Sequence, residues 1–262
     1  MRIGLTEPKE VKFLGDVLKL LGAVNEEMSL NITKENITAI SMDNSHIAMI
    51  DMKVDKSAFG EYDVEKDLLL SFNINELRKR LDTVDPKEER VSIQHDPEMM
   101  KVLLDVRNPD TQRKRLLKLS LLEPLDEEVP KPKIVFHCLA KFGLDDLEQA
   151  IKDAAMVSDH IVVRIFQEGP GGEANKLTFE AKGDMGESFL EVNTFDKFKI
   201  GNDSKDAQAT YTTSWLAGFV GAIKPLAKQV TIELSTDMPM KLSLNGNSKI
   251  TCDIFLAPCI GV

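Results

Sequence analysis

The side chains in this sequence that could do chemistry are cations repeated along one side of predicted helices. In the segment 74–82 the helical spacing of Ile74 and Leu77 directs Lys79 away from the buried side. The same reasoning turns outward Lys9, Lys12, Lys19, Arg78, Arg80, Lys152 and Lys224. Ammonium and guanidinium groups on an exposed helix can bind phosphate. They can equally be solvated side chains that keep the helix soluble, and the charge pattern alone leaves both interpretations open.

No catalytic arrangement accompanies these cations. The sequence has no phosphate-binding Walker loop, no Gly-x-Ser-x-Gly turn, no His-Glu-x-x-His pair and no dinucleotide-binding glycine fingerprint. The stretch Gly-Pro-Gly-Gly at 169–172 lacks a following lysine and helix, so it is typical of a turn. His46, His95, His137 and His160 are isolated, which is more typical of strand or core residues than of metal ligands. We therefore expect no catalytic residue, no metal and no cofactor.

The bulk composition excludes several other classes of protein. A formal net charge of −10 over 262 residues argues against a surface that binds nucleic acid throughout, although cations can still be concentrated on one face. Cys138, Cys252 and Cys259 are odd in number and widely separated, so we expect reduced thiols in an intracellular protein. No apolar run approaches the ~18–20 residues of a membrane span. The chain also begins with charged residues where a signal peptide would be apolar.

Many short strands and a few helices must position these cations. Alternating apolar stretches predict antiparallel strands at 28–32, 46–54, 91–94, 101–106, 161–166, 176–182, 230–234 and 249–258. Helical spacing predicts four helices, at roughly 8–22, 74–82, 144–155 and 213–224. The pattern indicates an α+β fold in which helices cover one face of antiparallel sheets.

The predicted elements occur twice. The apolar stripe that begins at Val11 recurs from Leu144, and the strand that begins at Val91 recurs from Val230. The stretch Leu-Leu-Glu-Pro that ends at Pro124 lines up in the same way with Phe-Leu-Ala-Pro, and the offset between the copies is nearly constant. A nearly constant offset of half the chain predicts two similar domains rather than a solenoid.

A connector separates the two predicted copies. The segment 120–134 contains three prolines and an acidic run, so it predicts an extended linker between a domain at 1–119 and a domain at 135–262. It also carries Leu121, Leu122, Leu125 and Val129. Apolar residues in an extended linker are expected to lie on a domain surface.

Five motifs occur in a characteristic order. They are SMDNSHIAMIDM (41–52), AFGEYDV (58–64), DAAMVSD (153–159), DMPMKLSL (237–244) and FLAPCI (255–260). Together they resemble the proliferating cell nuclear antigen family, the sliding clamps of archaea and eukaryotes. The resemblance implies the DNA clamp fold, in which three two-domain subunits close into a ring with the helices inside. It also implies a DNA polymerase processivity factor that encircles duplex DNA and catalyses nothing.

The resemblance further implies a pocket for a short peptide of partner enzymes, a Gln followed by an aliphatic and two aromatic residues. By position, this pocket would consist of Met42, His46, Ile47, Met49, Leu125, Val129, Pro130, Pro239, Phe255, Leu256, Ala257 and Pro258.

The implied partners are double-stranded DNA of any sequence, DNA polymerase, the clamp loader, flap endonuclease and DNA ligase, with no membrane. The compartment would be the cytoplasm or nucleoid in an archaeon and the nucleus in a eukaryote.

Assembly follows from the same resemblance. Subunits of this family join through edge strands, which by position would be about 111–119 and 175–182, in a homotrimer or a heterotrimer. The Gly-rich turn at 169–175 would leave the second strand free. One departure from the family concerns DNA: the fourth helix has Ser214, Ala217, Gly218 and Gly221 where relatives often carry Arg or Lys. DNA contact from that helix is therefore expected to be weak.

Two other functions remain open at this point. One is a β-rich enzyme whose active site carries no recognisable motif. The other is a clamp-like checkpoint or scaffold ring that does not act in replicative processivity. Association into a species of about three subunits would distinguish a clamp from the enzyme, and polymerase stimulation would distinguish it from the checkpoint ring.

Overall fold

The computed structural model describes residues 1–124, 129–168, 174–201 and 206–261. The chain divides into two compact units. The first consists of Met1–Asn44, Ile50–Val129 and Ser248–Cys252, and the second of Ser45–Met49, Pro130–Asn247 and Asp253–Val262. The division between Val129 and Pro130 falls inside the predicted connector, while the limits predicted at 119 and 135 stay predictions. Leu125 and the Gly-Pro-Gly-Gly stretch lie outside the described residues.

The first unit holds two helices and two antiparallel sheets. Its elements are β1 (Arg2–Leu5), α1 (Pro8–Gly22), β2 (Glu27–Ile32), β3 (Asn36–Met42), β4 (Ala48–Asp55), β5 (Glu61–Asp63), β6 (Leu68–Asn73), α2 (Ile74–Leu81), β7 (Arg90–Asp96), β8 (Lys101–Arg107) and β9 (Lys114–Ser120). One sheet has the strand order β5-β1-β7-β8-β9, and the other strands follow the order β4-β3-β2-β6. Helices α1 and α2 pack against each other.

The second unit repeats this arrangement. Its elements are β10 (Cys138–Gly143), α3 (Leu144–Ala155), β11 (His160–Glu168), β12 (Ala174–Gly183), β13 (Gly186–Val192), β14 (Lys197–Ile200), β15 (Asp206–Thr212), α4 (Thr213–Ile223), β16 (Gln229–Leu234), β17 (Met240–Asn245) and β18 (Ile250–Leu256). The strand orders are β14-β10-β16-β17-β18 and β13-β12-β11-β15. Helices α3 and α4 pack against each other.

The two units therefore share one sequence of elements and one pair of sheet topologies. Helix α3 follows β10 as α1 follows β1, and α4 lies between β15 and β16 as α2 lies between β6 and β7. The predicted duplication and the α+β class are confirmed, and each of the four helices ends within one residue of its predicted range. Among the described residues, no helix combines the length and apolar character that a bilayer crossing requires.

Local sequence explains where the helices of the first unit begin. At α1, Pro8 occupies the first turn, and the Glu10 carboxylate accepts hydrogen bonds from the backbone amides of Thr6 (2.7 Å) and Glu7 (3.2 Å). At α2, the Asn73 side chain accepts a hydrogen bond from the Glu76 amide at 3.0 Å. Each helix then turns its apolar stripe into the core, where Leu18 and Leu77 are buried.

The sheet edges differ from the prediction in one place. Residues 175–182 were predicted to form a free edge, but they belong to β12, which pairs with β11 on one side and β13 on the other. That prediction is wrong: the edge of this sheet is β13. Strands β12 and β13 form a hairpin whose short turn ends at Gly186. Strand β13 therefore lies outside β12 and is the last strand of the sheet.

Other long edges are covered by chain segments. The Leu122 amide donates to the Ser71 carbonyl of β6 at 2.7 Å. The amides of Asp237 and Cys259 donate to the Gln208 and Thr210 carbonyls of β15. In the described part of the chain, the long strands that end a sheet without such a cover are β9 and β13.

A buried carboxylate supports β9. Glu89 accepts hydrogen bonds from Arg115 at 2.7 Å, from Arg113 at 3.0 Å and from the Asp85 amide at 3.0 Å. Burial opposes ionisation of Glu89, but the Asp85 amide and the two guanidinium groups outweigh it and lower the pKa of the carboxyl group. Glu89 is therefore ionised at neutral pH.

We predict that Glu89→Gln lowers the free energy of unfolding by about 2 kcal/mol at neutral pH, because two arginines lose a charged acceptor. Since the pKa of Glu89 is lower in the folded state, its contribution is complete above the ordinary value of 4.5 and is lost as the pH falls through the lowered value. The gap between variant and wild type should therefore narrow in acid. Urea unfolding at several pH values measures this, and a gap that widens in acid would contradict the assignment.

Candidate functional site

The helix pair of the first unit carries a basic surface. Lys9, Lys12 and Lys19 of α1 and Lys79 of α2 are exposed, and Arg78 is half-buried. A shallow groove between the two helices is lined by Lys9, Lys12, Lys19 and Arg78. The pair contains six cations and three carboxylates, of which Glu10 is buried at the start of α1. The formal charge of this helix pair is therefore +3.

The cations of this helix pair differ in the ion pairs and hydrogen bonds that they form with other groups of the protein. Lys79 lies 2.8 Å from Glu76 and Lys9 lies 2.5 Å from Glu7, and both ion pairs are exposed enough to exchange with water or phosphate. Arg80 is different. Its guanidinium donates to the Glu76 carboxylate (2.8 Å), to the Glu76 carbonyl (2.7 Å) and to the Lys118 carbonyl of β9 (3.1 Å). Arg80 thus ties α2 to β9, and we leave it out of the basic surface.

The helix pair of the second unit has the opposite balance. Helix α3 contains four carboxylates and one cation, Lys152, while α4 contains no charged residue. Lys224 follows directly at the end of α4. The Glu148 carboxylate of α3 lies 2.8 Å from Lys152 and 2.5 Å from Lys224. Both cations predicted here are exposed, but they share one partner.

The outer face of α4 consists of small residues. Ser214, Ala217, Gly218 and Gly221 are all exposed. A methyl group placed on Gly218 would meet no other atom within 4 Å, so packing does not require glycine there. This agrees with the expectation from sequence that α4 offers few phosphate contacts.

A second surface is assembled around β15 in the second unit. The Ile47 carbonyl accepts a hydrogen bond from the Ala257 amide at 2.8 Å, which joins the segment 45–49 to the end of the chain. The Cys259 amide donates to the Thr210 carbonyl of β15 at 2.8 Å. The buried Tyr211 hydroxyl donates to the Met238 carbonyl at 2.8 Å and fixes the loop before Pro239. We call the segments 45–49, 238–239 and 255–260 the docking surface.

This surface presents apolar side chains on a fixed backbone. Ile47 is 37% exposed, and Met238 and Ile260 are also exposed. The predicted residues His46, Pro239, Phe255, Ala257 and Pro258 are exposed or half-buried. His46 adopts a left-handed backbone conformation (φ 58°), which is uncommon outside glycine and marks a sharp turn before Ile47.

Not every residue predicted for the pocket reaches this surface. Met49 and Leu256 are buried in the core and support it from below. Met42 and Val129 belong to the first unit, Pro130 is exposed in the second, and Leu125 lies outside the described residues. Met238 and Ile260 were not predicted. Their signals in the sequence were a methionine beside Pro239 and the isoleucine that ends the terminal motif FLAPCI.

The connector is held at both described ends. The Leu121 amide donates to the Met100 carbonyl at 2.9 Å in the first unit. In the second unit the Ser235 hydroxyl donates to the Val135 carbonyl at 2.9 Å and accepts from the His137 amide at 3.0 Å. Residues 129–137 contain no regular secondary structure, as predicted for an extended segment.

Known proteins similar to this chain are DNA polymerase sliding clamps. The protein of that name from Cenarchaeum symbiosum is 26% identical over 246 residues, covering 92% of each chain. That from Thermococcus gammatolerans is 25% identical over 259 residues, covering 96% of this chain and 98% of the relative.

Solved structures show the same fold. PCNA from Thermococcus kodakaraensis has a TM-score of 0.83 at 19% identity, covering 98% of this chain and 99% of that one. A chain of the PCNA2-PCNA3 complex from Sulfolobus tokodaii has a TM-score of 0.79 at 20% identity, with the same coverage.

Residues 9–128 match the proliferating cell nuclear antigen N-terminal domain, and residues 131–259 match its C-terminal domain. The chain belongs to the proliferating cell nuclear antigen family.

Proposed function

We propose that this chain is a subunit of a DNA polymerase sliding clamp. It encircles duplex DNA as part of a ring, recruits replication and repair enzymes through the docking surface, and catalyses no reaction. The single observation that carries this proposal is the match of both halves of the chain, in order, to the two domains of one family whose relatives are named DNA polymerase sliding clamps.

The basic helix pair of the first unit supports binding to duplex DNA of any sequence. Lysines at the surface attract phosphate without reading bases, and their contacts exchange rapidly. A closed ring needs no tight contact, because it leaves DNA only when an interface opens. Weak contacts from Lys9, Lys12, Lys19, Arg78 and Lys79 therefore suit a protein that slides.

The free edges β9 and β13 support assembly into the ring, three subunits joined head to tail. An unpaired strand edge can extend its sheet with a strand of another molecule. Leu116 of β9 and Phe189 of β13 are both exposed. If these two residues face each other in an antiparallel pair, Lys114 lies opposite Glu191 and Lys118 opposite Glu187. Such pairs of opposite charge favour this partner over a second copy of the same edge.

The docking surface supports recruitment of a short peptide with apolar anchors. Ile47 and Met238 are exposed on a backbone fixed by hydrogen bonds, so binding requires little ordering of the clamp. Methionine adapts its shape to different side chains, which suits a site with several partners. DNA polymerase, clamp loader, flap endonuclease and DNA ligase are the partners that we propose.

The DNA contact can be tested with lysine substitutions. We predict that Lys9→Ala, Lys12→Ala and Lys19→Ala combined weaken binding to a labelled duplex and reduce the dependence of the binding constant on salt. The slope of log K against log salt should fall in magnitude by about 2–3 per subunit, since each phosphate contact contributes ~0.9. Fluorescence anisotropy over a range of sodium chloride concentrations measures it.

A matched control removes the same charge elsewhere in the first unit. Lys34, Lys53 and Lys66 are exposed on strands and loops, and their combined replacement by alanine should leave the slope nearly unchanged. Equal effects in both triple variants would contradict a specific DNA face. A polymerase assay with clamp loader then tests the whole function: no stimulation of processivity would favour the checkpoint or scaffold ring instead.

A further inference from the structure

Glu148 of α3 is the carboxylate that both cations of the second helix pair contact. One of its carboxylate oxygens lies 2.8 Å from the Lys152 ammonium on its own helix, and the other lies 2.5 Å from the Lys224 ammonium at the end of α4. Lys152 is the only cation within α3, and α4 contributes none. A single carboxylate therefore engages both cations that this helix pair could offer to phosphate.

The position of the Glu148 carboxylate favours its two ion pairs over solvated lysine side chains. The Glu148 side chain is only 20% exposed, whereas both lysine side chains are more than half exposed. The bridge also spans α3 and α4, so it is held by the packing of the two helices as well as by charge. Hydrogen bonds from Lys152 and Lys224 lower the pKa of Glu148 to about 2, so the carboxylate stays ionised in any neutral buffer.

The two helix pairs consequently differ in what they present to a phosphate backbone. In the first unit the carboxylates that pair with Lys9, Arg78 and Lys79 are Glu7, Asp82 and Glu76, and they are 42% to 60% exposed, so these ion pairs exchange with solvent or phosphate more easily than those of Glu148. In the second unit no further cation lies on either helix, and Asp145, Asp146 and Asp153 add negative charge.

We propose that Glu148 withholds Lys152 and Lys224 from DNA, so that the attraction of each subunit for phosphate comes from α1 and α2 alone. This inference rests on the proposed clamp function. It makes Glu148 a residue that sets DNA affinity without touching DNA: it keeps the second helix pair weakly attractive and so favours sliding over tight binding.

The test is Glu148→Gln in the full-length protein, which keeps the shape of the side chain and removes its charge. Two lysines become available to phosphate, so affinity for a labelled duplex should rise. The magnitude of the slope of log K against log salt should increase by up to about 1.8 per subunit, because each new contact contributes ~0.9. Anisotropy titrations at several salt concentrations give both quantities.

Two variants separate this mechanism from a general change in charge. Asp153→Asn removes one negative charge from the same helix without freeing a lysine, since the Asp153 side chain accepts its hydrogen bond from Gln149 at 2.7 Å. Its effect on the slope should be small. Adding Lys152→Ala and Lys224→Ala to Glu148→Gln should cancel the gain. An equal gain from Asp153→Asn, or a gain that survives loss of both lysines, would overturn the proposal.

A third variant distinguishes failure of this inference from failure of the clamp function. Gly218→Lys places a cation on the open face of α4 and leaves Glu148, Lys152 and Lys224 unchanged. If it strengthens binding and Glu148→Gln does not, the helix face meets DNA but Glu148 does not control it. If both fail while the triple lysine variant of α1 still weakens binding, the second helix pair does not face DNA. If none has an effect, the DNA face itself is wrongly assigned.

Discussion

Replacing Phe189 with aspartate is expected to convert the assembled ring into single subunits. Phe189 is 62% exposed on the outer face of β13, so the isolated subunit should fold normally with the substitution. In the proposed pair of edge strands the ring buries the phenyl group against Leu116. Aspartate would lose this apolar burial and would place a carboxylate against the apolar Leu116 side chain.

The expected size of this effect follows from apolar burial. Burying a phenylalanine side chain contributes about 2–3 kcal/mol, so its loss weakens each interface by roughly 30- to 150-fold. The cost of the buried carboxylate adds to this. Light scattering coupled to size exclusion should show a shift from about three times 29.2 kDa to a single 29.2 kDa subunit at equal protein concentration. If the ring contains sister subunits, the same variant should fail to join them.

A neighbouring residue provides the matched control. Met185 is 93% exposed in the turn before β13, outside the strand that pairs. Met185→Asp adds the same charge a few residues away and should leave assembly unchanged. Loss of assembly in both variants would point to repulsion between subunits in general, and intact assembly of Phe189→Asp would remove β13 from the interface.

The helices of this fold were predictable because their signals are local. The apolar stripe that begins at Val11 and the one formed by Ile74, Leu77 and Leu81 repeat within a few residues, and each predicted helix ends within one residue of the observed one. The duplication was predictable for the same reason, since two copies of a local pattern remain recognisable at a nearly constant offset.

Strand pairing was harder to predict because it joins distant residues. Residues 175–182 were assigned to the edge by position from the family resemblance, yet β13 covers them because the chain turns back at Gly186. Short or polar strands such as β5 and β14 carry too few apolar residues to be recognised. Their pairing depends on partners that a local pattern does not reveal.

At the candidate sites, too, contacts between residues distant in sequence could not be predicted. Helical spacing correctly turned Lys79, Lys152 and Lys224 outward. It could not show that the Arg80 guanidinium donates to the Lys118 carbonyl. It also could not show that Glu148 of α3 contacts Lys224, which lies at the end of α4. Side-chain partners of this kind depend on which helices pack together, and this becomes known only with the fold.

Replacing Ile47 with serine should weaken binding of the partner peptide by about 30- to 150-fold while the ring persists. Ile47 is 37% exposed, and it contributes its carbonyl, not its side chain, to the hydrogen bond with Ala257. The backbone of the docking surface should therefore remain in place. A serine loses the burial of an isoleucine under an aromatic anchor of the peptide, about 2–3 kcal/mol or a 30- to 150-fold weaker complex.

The choice of residue decides whether this experiment can be interpreted. Leu256 belongs to the same predicted pocket but is only 2% exposed, so Leu256→Ser would damage the core and weaken binding for that reason alone. Ile40 offers the opposite control. It is also isoleucine, is 36% exposed on β3 in the first unit, and should tolerate serine without any effect on the peptide.

Calorimetry with a synthetic peptide of one Gln, one aliphatic and two aromatic residues measures the binding constant of each variant. Wild type and Ile40→Ser should bind equally, and Ile47→Ser should bind about 30- to 150-fold more weakly. Unchanged affinity of Ile47→Ser would move the docking site away from residues 45–49. Weaker binding by both variants would mean that the peptide recognises exposed apolar residues in general. The comparison is informative because the two isoleucines match in type and exposure, and Ile47 alone of the two belongs to the docking surface.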